Sequence, residues 1–200
     1  MDKTEEKKGD TMNPVLKAIA ERRAVRSYES KPVSRDIINK IIEVANQAPS
    51  AMNSQPWRFV VVEDKGFHRK LIEAAIPNSK KKLEPFKDIN PERYQSIMKR
   101  YEELEDPIYY SAPVIIFVIG SGQFVDLSCP LACENIVLAA YSLGLGSCWV
   151  HFGSLVTDNE EIRKELELSN DERIYGPIII GYTQNFPEPP PKKEPRVKWI

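Results

Sequence analysis

The chain has 200 residues and a formal net charge of −1, so it can bury a sizeable core, and its balanced charge argues against a nucleic-acid partner. No apolar run approaches the roughly 20 residues that a membrane-spanning helix needs, and the charged N-terminus lacks the apolar core of a signal peptide. With only three cysteines, the chain is expected to be cytoplasmic, with no membrane partner.

The N-terminal part of the chain predicts a loose segment followed by two helices. Residues 1–12 are polar and predict little fixed structure. Asn13 followed by Pro14 is typical of a helix start, and this helix is predicted to reach about Glu21. Its side chains expected to face inward are Val15, Leu16 and Ile19. Ser34 begins a second helix, which ends before the next proline. The apolar residues of this second helix have clean helical spacing: Ile37, Ile38, Ile41, Ile42 and Ala45.

The rest of the chain alternates apolar runs with charged helical patterns. Strands are predicted over residues 58–63, 114–119, 147–150 and 177–181. The run 114–119 is apolar throughout, so it is predicted to be a central strand covered on both faces. Helices are predicted over 66–76, 91–105 and 158–166, with an irregular lysine-rich stretch over 77–90 that begins at Pro77. The helix predicted over 126–143 is apolar almost all round, which indicates burial on every side and favours a subunit interface.

Two further features concern cysteine and the C-terminal segment. Cys129 and Cys133 lie four apart on one helix face, which permits a metal or redox site. Two small core residues are the favoured interpretation, because no further metal ligands occur at suitable spacing. Residues 187–200 form a proline-rich arm that is predicted to be extended, with an apolar end suited to docking on a partner subunit.

Two polar clusters carry the functional signal. Arg22, Arg23 and Arg26 form a group suited to bidentate phosphate binding, with a solvated helix end as the alternative interpretation. The loop 49–57 contains two prolines that stiffen its backbone. Its hydrogen-bonding side chains are Ser50, Asn53, Ser54 and Gln55. Such a loop is suited to the polar edge of a planar heterocycle, although it could instead be a simple capped turn. Together the clusters predict a phosphorylated cofactor that contains a ring.

The order of these motifs resembles that of the FMN-dependent nitroreductase family. Arg-Arg-x-x-Arg is followed by Pro-Ser-x-x-Asn-x-Gln-Pro-Trp, then by Glu-Asn on the apolar helix, Gly-Leu-Gly-Ser-Cys-Trp and Ile-Gly-Tyr. The resemblance implies a three-layer α+β fold, nitroreductase-like, with a mixed central sheet flanked by helices. It also implies an intertwined homodimer that exchanges C-terminal arms and binds FMN at the subunit interface. The FMN-binding domain would cover residues 13–186, with a variable lid over 65–110.

The same resemblance suggests which residues bind the cofactor. Arg22, Arg23 and Arg26 match the positions that hold the FMN phosphate and the N1–O2 edge of the ring, and Lys192 or Lys193 in the arm would add a cation. The loop that the other subunit lays against the ring matches Pro49, Ser50, Ala51, Asn53 and Gln55. The segment beside flavin N5, where a backbone N–H is expected, matches Trp149, Val150 and His151. Ala24 stands where a serine is common, and His151-Phe152 replaces what is often an acidic or glycine pair.

Three functions follow from the resemblance. The first is an FMN-dependent oxidoreductase with ping-pong hydride transfer from NADH or NADPH to a nitroaromatic, a quinone or a similar small acceptor. The second is a specialised flavin reaction on the same fold, such as reductive dehalogenation, azoline oxidation or flavin fragmentation. The third is a non-catalytic flavin-binding protein. No catalytic side chain is required, because the flavin carries the chemistry, and no metal is expected.

Overall fold

The computed structural model describes residues 12–200, so the predicted loose segment lies outside the described residues except for Met12. A four-stranded sheet forms the centre of the fold, with strand order β1-β2-β4-β3. The strands are β1 Trp57–Val62, β2 Val114–Gly120, β3 Gly146–Trp149 and β4 Arg173–Gly181. Each run that was predicted as a strand is therefore a strand in the structure.

Helices cover both faces of this sheet. They are α1 Pro14–Glu21, α2 Arg35–Ala45, α3 Lys65–Leu83, α4 Phe86–Ile89, α5 Pro91–Glu103, α6 Val125–Ser142 and α7 Glu160–Glu165. Alternate residues of β2 point to opposite sides, so Ile116 packs with α2 and α6 while Ile115 and Phe117 pack with α3, α5 and α7. All seven residues of β2 are buried, which confirms a covered central strand in a three-layer α+β fold. None of the helices within residues 12–200 combines the length and apolar character needed to cross a bilayer.

The sheet is less mixed than predicted. All neighbouring strands pair antiparallel. The parallel component is a single bridge between Ala24 and Ser147, at the outer edge of β3. The reason is that the segment after α1 reaches this edge but contributes only one bridging residue there.

The third helix does not end where the sequence suggested. Pro77 was expected to terminate it, but α3 continues to Leu83 with the proline inside. The buried positions Leu71, Ala75, Ser79 and Leu83 repeat every fourth residue, so one face of the whole helix is held against the core. This tertiary packing outweighs the hydrogen bond that proline cannot donate. The following residues form the short α4, so the stretch 77–90 is mostly helical and not irregular.

The first helix has the predicted limits but not the predicted orientation. Asn13 caps it by accepting a hydrogen bond from the Val15 N–H. Within this chain, however, Val15, Leu16 and Ile19 are 64%, 59% and 54% exposed, and the small Ala18 is the residue that packs inward. Helix α6 is likewise not buried on all sides, because Leu127 is 67% exposed. Helix α1 therefore turns its large apolar side chains away from the rest of the chain, whereas α6 is largely buried and exposes only part of its apolar surface.

The cysteines are core residues. Cys129, Cys133 and Cys148 are buried and free. Burial raises the pKa of the Cys129 and Cys133 thiols to about 12, so both are protonated and unreactive at neutral pH. Among residues 12–200, no group of three or more His, Cys, Asp or Glu side chains could hold a metal ion.

We expect one ion pair to govern acid stability. Arg58 donates from Nε to Glu172 Oε1 over 2.7 Å and from Nη2 to Oε2 over 2.9 Å. The hydrogen bond from Arg58 lowers the pKa of Glu172 from 4.5 to about 2. This contribution to stability is therefore complete above pH 4.5 and is lost as the pH falls toward 2. Glu172→Gln should lower the free energy of unfolding at neutral pH by about 2 kcal/mol.

Urea unfolding of both proteins across this pH range checks the expectation. The difference between them should shrink as Glu172 becomes protonated in the wild type. Glu63→Gln is the control, because its partner Arg35 has a side chain that is 85% exposed and the pair should contribute little. A Glu172→Gln effect that is independent of pH would contradict this assignment.

Candidate flavin site

The arginine cluster lies along the free edge of the sheet. Helix α1 ends at Glu21, and the chain then runs beside β3, where the Val25 N–H donates to the Ser147 carbonyl over 2.9 Å. The parallel bridge between Ala24 and Ser147 adds to this contact. The structure thus brings Arg22, Arg23 and Arg26 next to the strand that leads into Trp149, Val150 and His151. Two groups far apart in the sequence therefore lie along one edge of the sheet.

The three guanidiniums have different surroundings. Arg22 Nε lies 3.7 Å from Glu134 Oε1. Arg23 Nη1 donates to the carbonyls of Ala20 and Arg22 over 2.8 and 2.7 Å, at the C-terminal end of α1. Its Nε is buried and has no acceptor among residues 12–200. Leaving a buried donor unpaired costs about 1–3 kcal/mol, so this N–H is a ready partner for an anion.

Arg26 is the most exposed of the three and is held weakly by its own chain. Its Nη1 lies 3.5 Å from the Ala24 carbonyl. Its guanidinium carbon lies 5.8 Å from the centre of the Tyr110 ring, within the range of a cation–π contact. Ala24 is exposed, so the methyl group that replaces the family's common serine faces outward.

The loop 49–57 is stiffer than its composition indicated. It contains three residues other than glycine with left-handed backbone conformations: Met52 at φ 54°, Asn53 at φ 53° and Gln55 at φ 44°. Such residues cost roughly 1–2 kcal/mol each, so the surrounding contacts must hold them. Ser50 Oγ accepts from the Gln55 N–H over 3.0 Å, and Gln55 Nε2 donates to the Asn53 carbonyl over 3.2 Å. The hydrogen bond to Ser50 Oγ is also what the alternative of a capped turn predicts, so the loop's part in cofactor binding stays a prediction.

The loop and the arginine cluster lie at different ends of α6. The Ala51 N–H donates to Ser128 Oγ in the first turns of this helix. Glu21, beside the arginines, accepts from the hydroxyl of Tyr141 in the last turn. The two anchor points are separated by about 20 Å of helix at the standard rise per residue. Arg22 itself also contacts Glu134, which is about 9 Å along the helix from Ser128 at the same rise, so the arginines lie nearer to the loop than the second anchor point does.

Not every backbone N–H group in the segment 149–151 is free to bind a cofactor. The Val150 N–H donates to the Pro177 carbonyl over 2.9 Å, so it is not available to a cofactor. Successive N–H groups of a strand point to opposite sides, which turns the Trp149 N–H toward the free edge of β3. Trp149 and His151 are exposed, and Ser154 Oγ donates to the His151 carbonyl in the short 3-10 turn His151–Ser154. Of the three residues predicted to lie beside flavin N5, Val150 cannot offer its backbone N–H to the cofactor, because the Pro177 carbonyl already accepts it.

The C-terminal arm leaves the domain near the arginines. Phe186 packs edge-on against Tyr141, with ring centres 5.5 Å apart. Residues 187–200 are exposed, and no hydrogen bond or ion pair ties Lys192 or Lys193 to the rest of residues 12–200. Within one chain, the structure therefore does not bring these lysines to the arginine cluster.

Sequence reasoning missed the aromatic residues beside this edge. The Tyr28 hydroxyl donates to the Val25 carbonyl over 2.7 Å, and Tyr110 supplies the ring near Arg26. Burial raises the pKa of Tyr28 far above its usual range, so its hydroxyl stays a proton donor. The only local sequence signal was Asp106-Pro107, a pair that favours turns.

Three layers around an antiparallel sheet, with a basic edge and a preorganised polar loop, define the class to which the molecule belongs. Residues 19–182 match the sequence model of the Nitroreductase family. The chain belongs to this family.

Individual relatives agree with this assignment over most of their length. The chain is 29% identical to a putative NADH dehydrogenase/NAD(P)H nitroreductase of Methanothermobacter thermautotrophicus, covering 86% of this chain and 79% of that protein. It is 31% identical to an iodotyrosine deiodinase of Thermotoga neapolitana, covering 88% and 89%. The crystal structure of a nitroreductase with bound FMN from Desulfitobacterium hafniense has a TM-score of 0.79 and 26% identity, covering 94% of this chain and 99% of that one.

Proposed function

We propose that this protein is an FMN-dependent oxidoreductase that carries electrons from NADH or NADPH to a small, flat, electron-poor acceptor such as a nitroaromatic or a quinone. Bound FMN supplies the hydride chemistry, accepting a hydride from the nicotinamide and passing electrons to the acceptor in a second step. Membership of the family and the FMN-bound neighbour support the cofactor assignment. The observation that carries it is the buried Arg23 Nε without an acceptor, inside a cluster of three arginines.

The residues at the sheet edge fit the charge of the cofactor. The FMN phosphate carries about −1.5 to −2 charges at neutral pH. Arginine matches phosphate oxygens with paired, charge-assisted hydrogen bonds, so Arg22 and Arg23 are assigned to the phosphate. Arg26 is assigned to the N1–O2 edge of the ring, where its positive charge favours added electron density.

The strand edge and the stiff loop orient the ring. The backbone of Trp149 and His151 is assigned to the position beside N5 of the ring. The Trp149 N–H, which points outward from β3, is the hydrogen-bond donor there. Ser50, Asn53 and Gln55 are assigned to hydrogen bonds with the polar atoms of the ring and ribityl chain from the opposite side. These roles need hydrogen-bonding groups and orientation, and none of them requires a side-chain general acid.

A homodimer completes the site. Within one chain the loop is held at the first turns of α6, whereas Glu21, next to the arginine cluster, is held at its last turn, and this separation supports a site shared between two chains. The exposed apolar faces of α1 and α6 supply surface for a second copy. Exchange of the arms 187–200 would deliver Lys192 or Lys193 to the phosphate of the partner's site.

Reductive dehalogenation is the second candidate function. The 31% identity to an iodotyrosine deiodinase favours it specifically. Both reactions use electrons from the same reduced cofactor, so the identity of the acceptor separates them. Residues 65–110, which form α3 to α5, are the proposed lid, and we assign the selection of the acceptor to them.

The first test is the visible absorption spectrum of the purified protein, followed by identification and titration of the released chromophore. We expect oxidised-flavin bands and about one FMN per chain. Steady-state oxidation of NADH and NADPH with a quinone then tests the reaction, with an iodinated phenol as the competing acceptor. A colourless protein that fails to take up added FMN would refute the proposal, and turnover of the iodinated phenol alone would favour the second candidate.

A further inference from the structure

A buried carboxylate organises the turn that follows α5. Asp106 is 6% exposed, although aspartate is rarely buried without partners. Its Oδ1 accepts from the N–H groups of Ile108 and Tyr109 over 3.1 and 2.7 Å. Its Oδ2 accepts from the Ser111 N–H over 2.7 Å and lies 3.1 Å from His68 Nε2 on α3. One side chain thus satisfies three backbone donors and ties the turn to α3.

The turn is held in a conformation that its sequence does not favour. Tyr110 and Ser111 are consecutive left-handed residues, at φ 55° and 54°. Each costs roughly 1–2 kcal/mol, and such strain persists only where the surroundings enforce it. The hydrogen bond from the Ser111 N–H to Asp106 is the contact that enforces it here. Strain of this kind is found preferentially at functional sites.

The strained turn places two neighbouring tyrosines near the β3 edge of the sheet. The Tyr109 hydroxyl donates to the Gly153 carbonyl over 2.8 Å. A Cβ at Gly153 would lie 2.5 Å from the Tyr109 ring, so ring and backbone are in direct contact. Tyr110 instead places its ring 5.8 Å from the guanidinium of Arg26. The turn therefore supports both the segment beside the proposed N5 position and the cation assigned to the ring edge.

We propose that Asp106 is a positioning residue of the flavin site, acting through Tyr110 on Arg26 and through Tyr109 on the turn His151–Ser154. This inference rests on the proposed FMN function. Arg26 is exposed and its side chain makes one long hydrogen bond within residues 12–200, so the contact with the Tyr110 ring is what restricts its motion. A cation that is already oriented loses less side-chain entropy when the cofactor binds.

Burial raises the pKa of Asp106, but the hydrogen bonds from His68, Tyr109 and Ser111 outweigh burial, and the pKa of this carboxyl lies below its usual value. The group is therefore an ionised acceptor at neutral pH. Asp106→Asn keeps the shape and one acceptor oxygen but places an amide NH₂ group or a weaker acceptor opposite the Ser111 N–H. This change should allow Tyr110 and Ser111 to leave the left-handed conformation, while the hydrophobic core stays folded.

The test is the dissociation constant of FMN, measured by flavin fluorescence on the folded apoprotein. Ordering one mobile side chain accounts for about a fivefold to tenfold loss of affinity. We expect this loss in Asp106→Asn and in Tyr110→Leu, and near-wild-type affinity in Tyr110→Phe, which keeps the ring. In the double variant, the losses should be less than additive, because part of the effect of Asp106 passes through the Tyr110 contact.

Asp158→Asn is the matched control. Asp158 is another carboxylate that holds α3, through Asn78 Nδ2 at 2.9 and 3.0 Å, but it supports no left-handed turn. We expect it to reduce stability without changing FMN affinity. Unchanged affinity in both Asp106→Asn and Tyr110→Leu would overturn the proposal, as would fully additive losses in the double variant.

The outcomes also separate this inference from the function on which it rests. A wild-type protein that binds no FMN would refute the proposed function, whereas wild-type binding with unaffected variants would refute only the role of Asp106. If Asp106→Asn does not fold, the comparison of Tyr110→Leu with Tyr110→Phe decides the Tyr110 contact. The shift of the flavin absorption maximum in the folded variants is a second readout, since a purely structural role would leave it unchanged.

Discussion

Arg22→Ala is expected to weaken FMN binding by about 30- to 150-fold, because a charge-assisted hydrogen bond to phosphate contributes about 2–3 kcal/mol. The variant should fold normally. Its only ion-pair partner within residues 12–200 is Glu134, whose side chain is 53% exposed, and such a pair contributes little. Loss of affinity would therefore report on the cofactor and not on the fold. Fluorescence titration of the apoprotein with FMN measures it directly.

Two further variants sharpen this experiment. Arg35→Ala removes the same side chain and charge from an exposed position at the start of α2, so FMN affinity should not change. Arg22→Lys retains the charge but loses the planar pair of donors, and we expect an intermediate affinity. Equal affinity of Arg22→Ala and Arg35→Ala would remove Arg22 from the phosphate site.

Ile19→Asp is expected to produce a monomer without FMN. Ile19 lies on the exposed apolar face of α1, and a charge buried against a second subunit would be strongly unfavourable. Because the polar loop and the arginine cluster are anchored at different ends of α6, a monomer would retain only half of the proposed site. Sedimentation equilibrium and the FMN content per chain are the two measurements.

Ile89→Asp is the matched control for this experiment. Ile89 is an exposed isoleucine on α4, on the opposite side of the sheet from α6. This variant should remain a dimer and keep its FMN. A monomeric Ile19→Asp protein with one FMN per chain would place the entire site within a single chain and would refute the shared-site proposal.

The local elements were largely predictable, for reasons visible in particular residues. The apolar run of β2 predicted a covered central strand, since a strand buried on both faces has no polar alternation. Asn13 predicted a helix start, and its side chain accepts the expected hydrogen bond from the Val15 N–H. Proline at residue 77 misled the prediction for α3, because packing of distant residues and not local preference decided where that helix ends.

The candidate site was likewise predictable from the sequence only in part. The arginine cluster and the stiffened loop were identifiable from their composition and order, which resembled one family, and the chain belongs to that family. The left-handed conformations of Met52 and Gln55 were not predictable, because these residue types disfavour them, whereas Asn53 is of a type that adopts this conformation readily. The Asp106 turn was also missed, since its hydrogen bonds to Ser111 and His68 join elements that carry no shared motif.

The sequence by itself determined which residues are apolar, where strands and most helices begin, and which polar groups could meet a phosphorylated cofactor. These properties depend on neighbours along the chain, so short-range patterns contain them. Only the tertiary structure decided that the arginines lie beside β3, that the apolar face of α1 points outward and that the loop lies at the other end of α6. Those relations arise from packing between distant segments, whose free energy depends on the whole core and not on any single stretch of sequence.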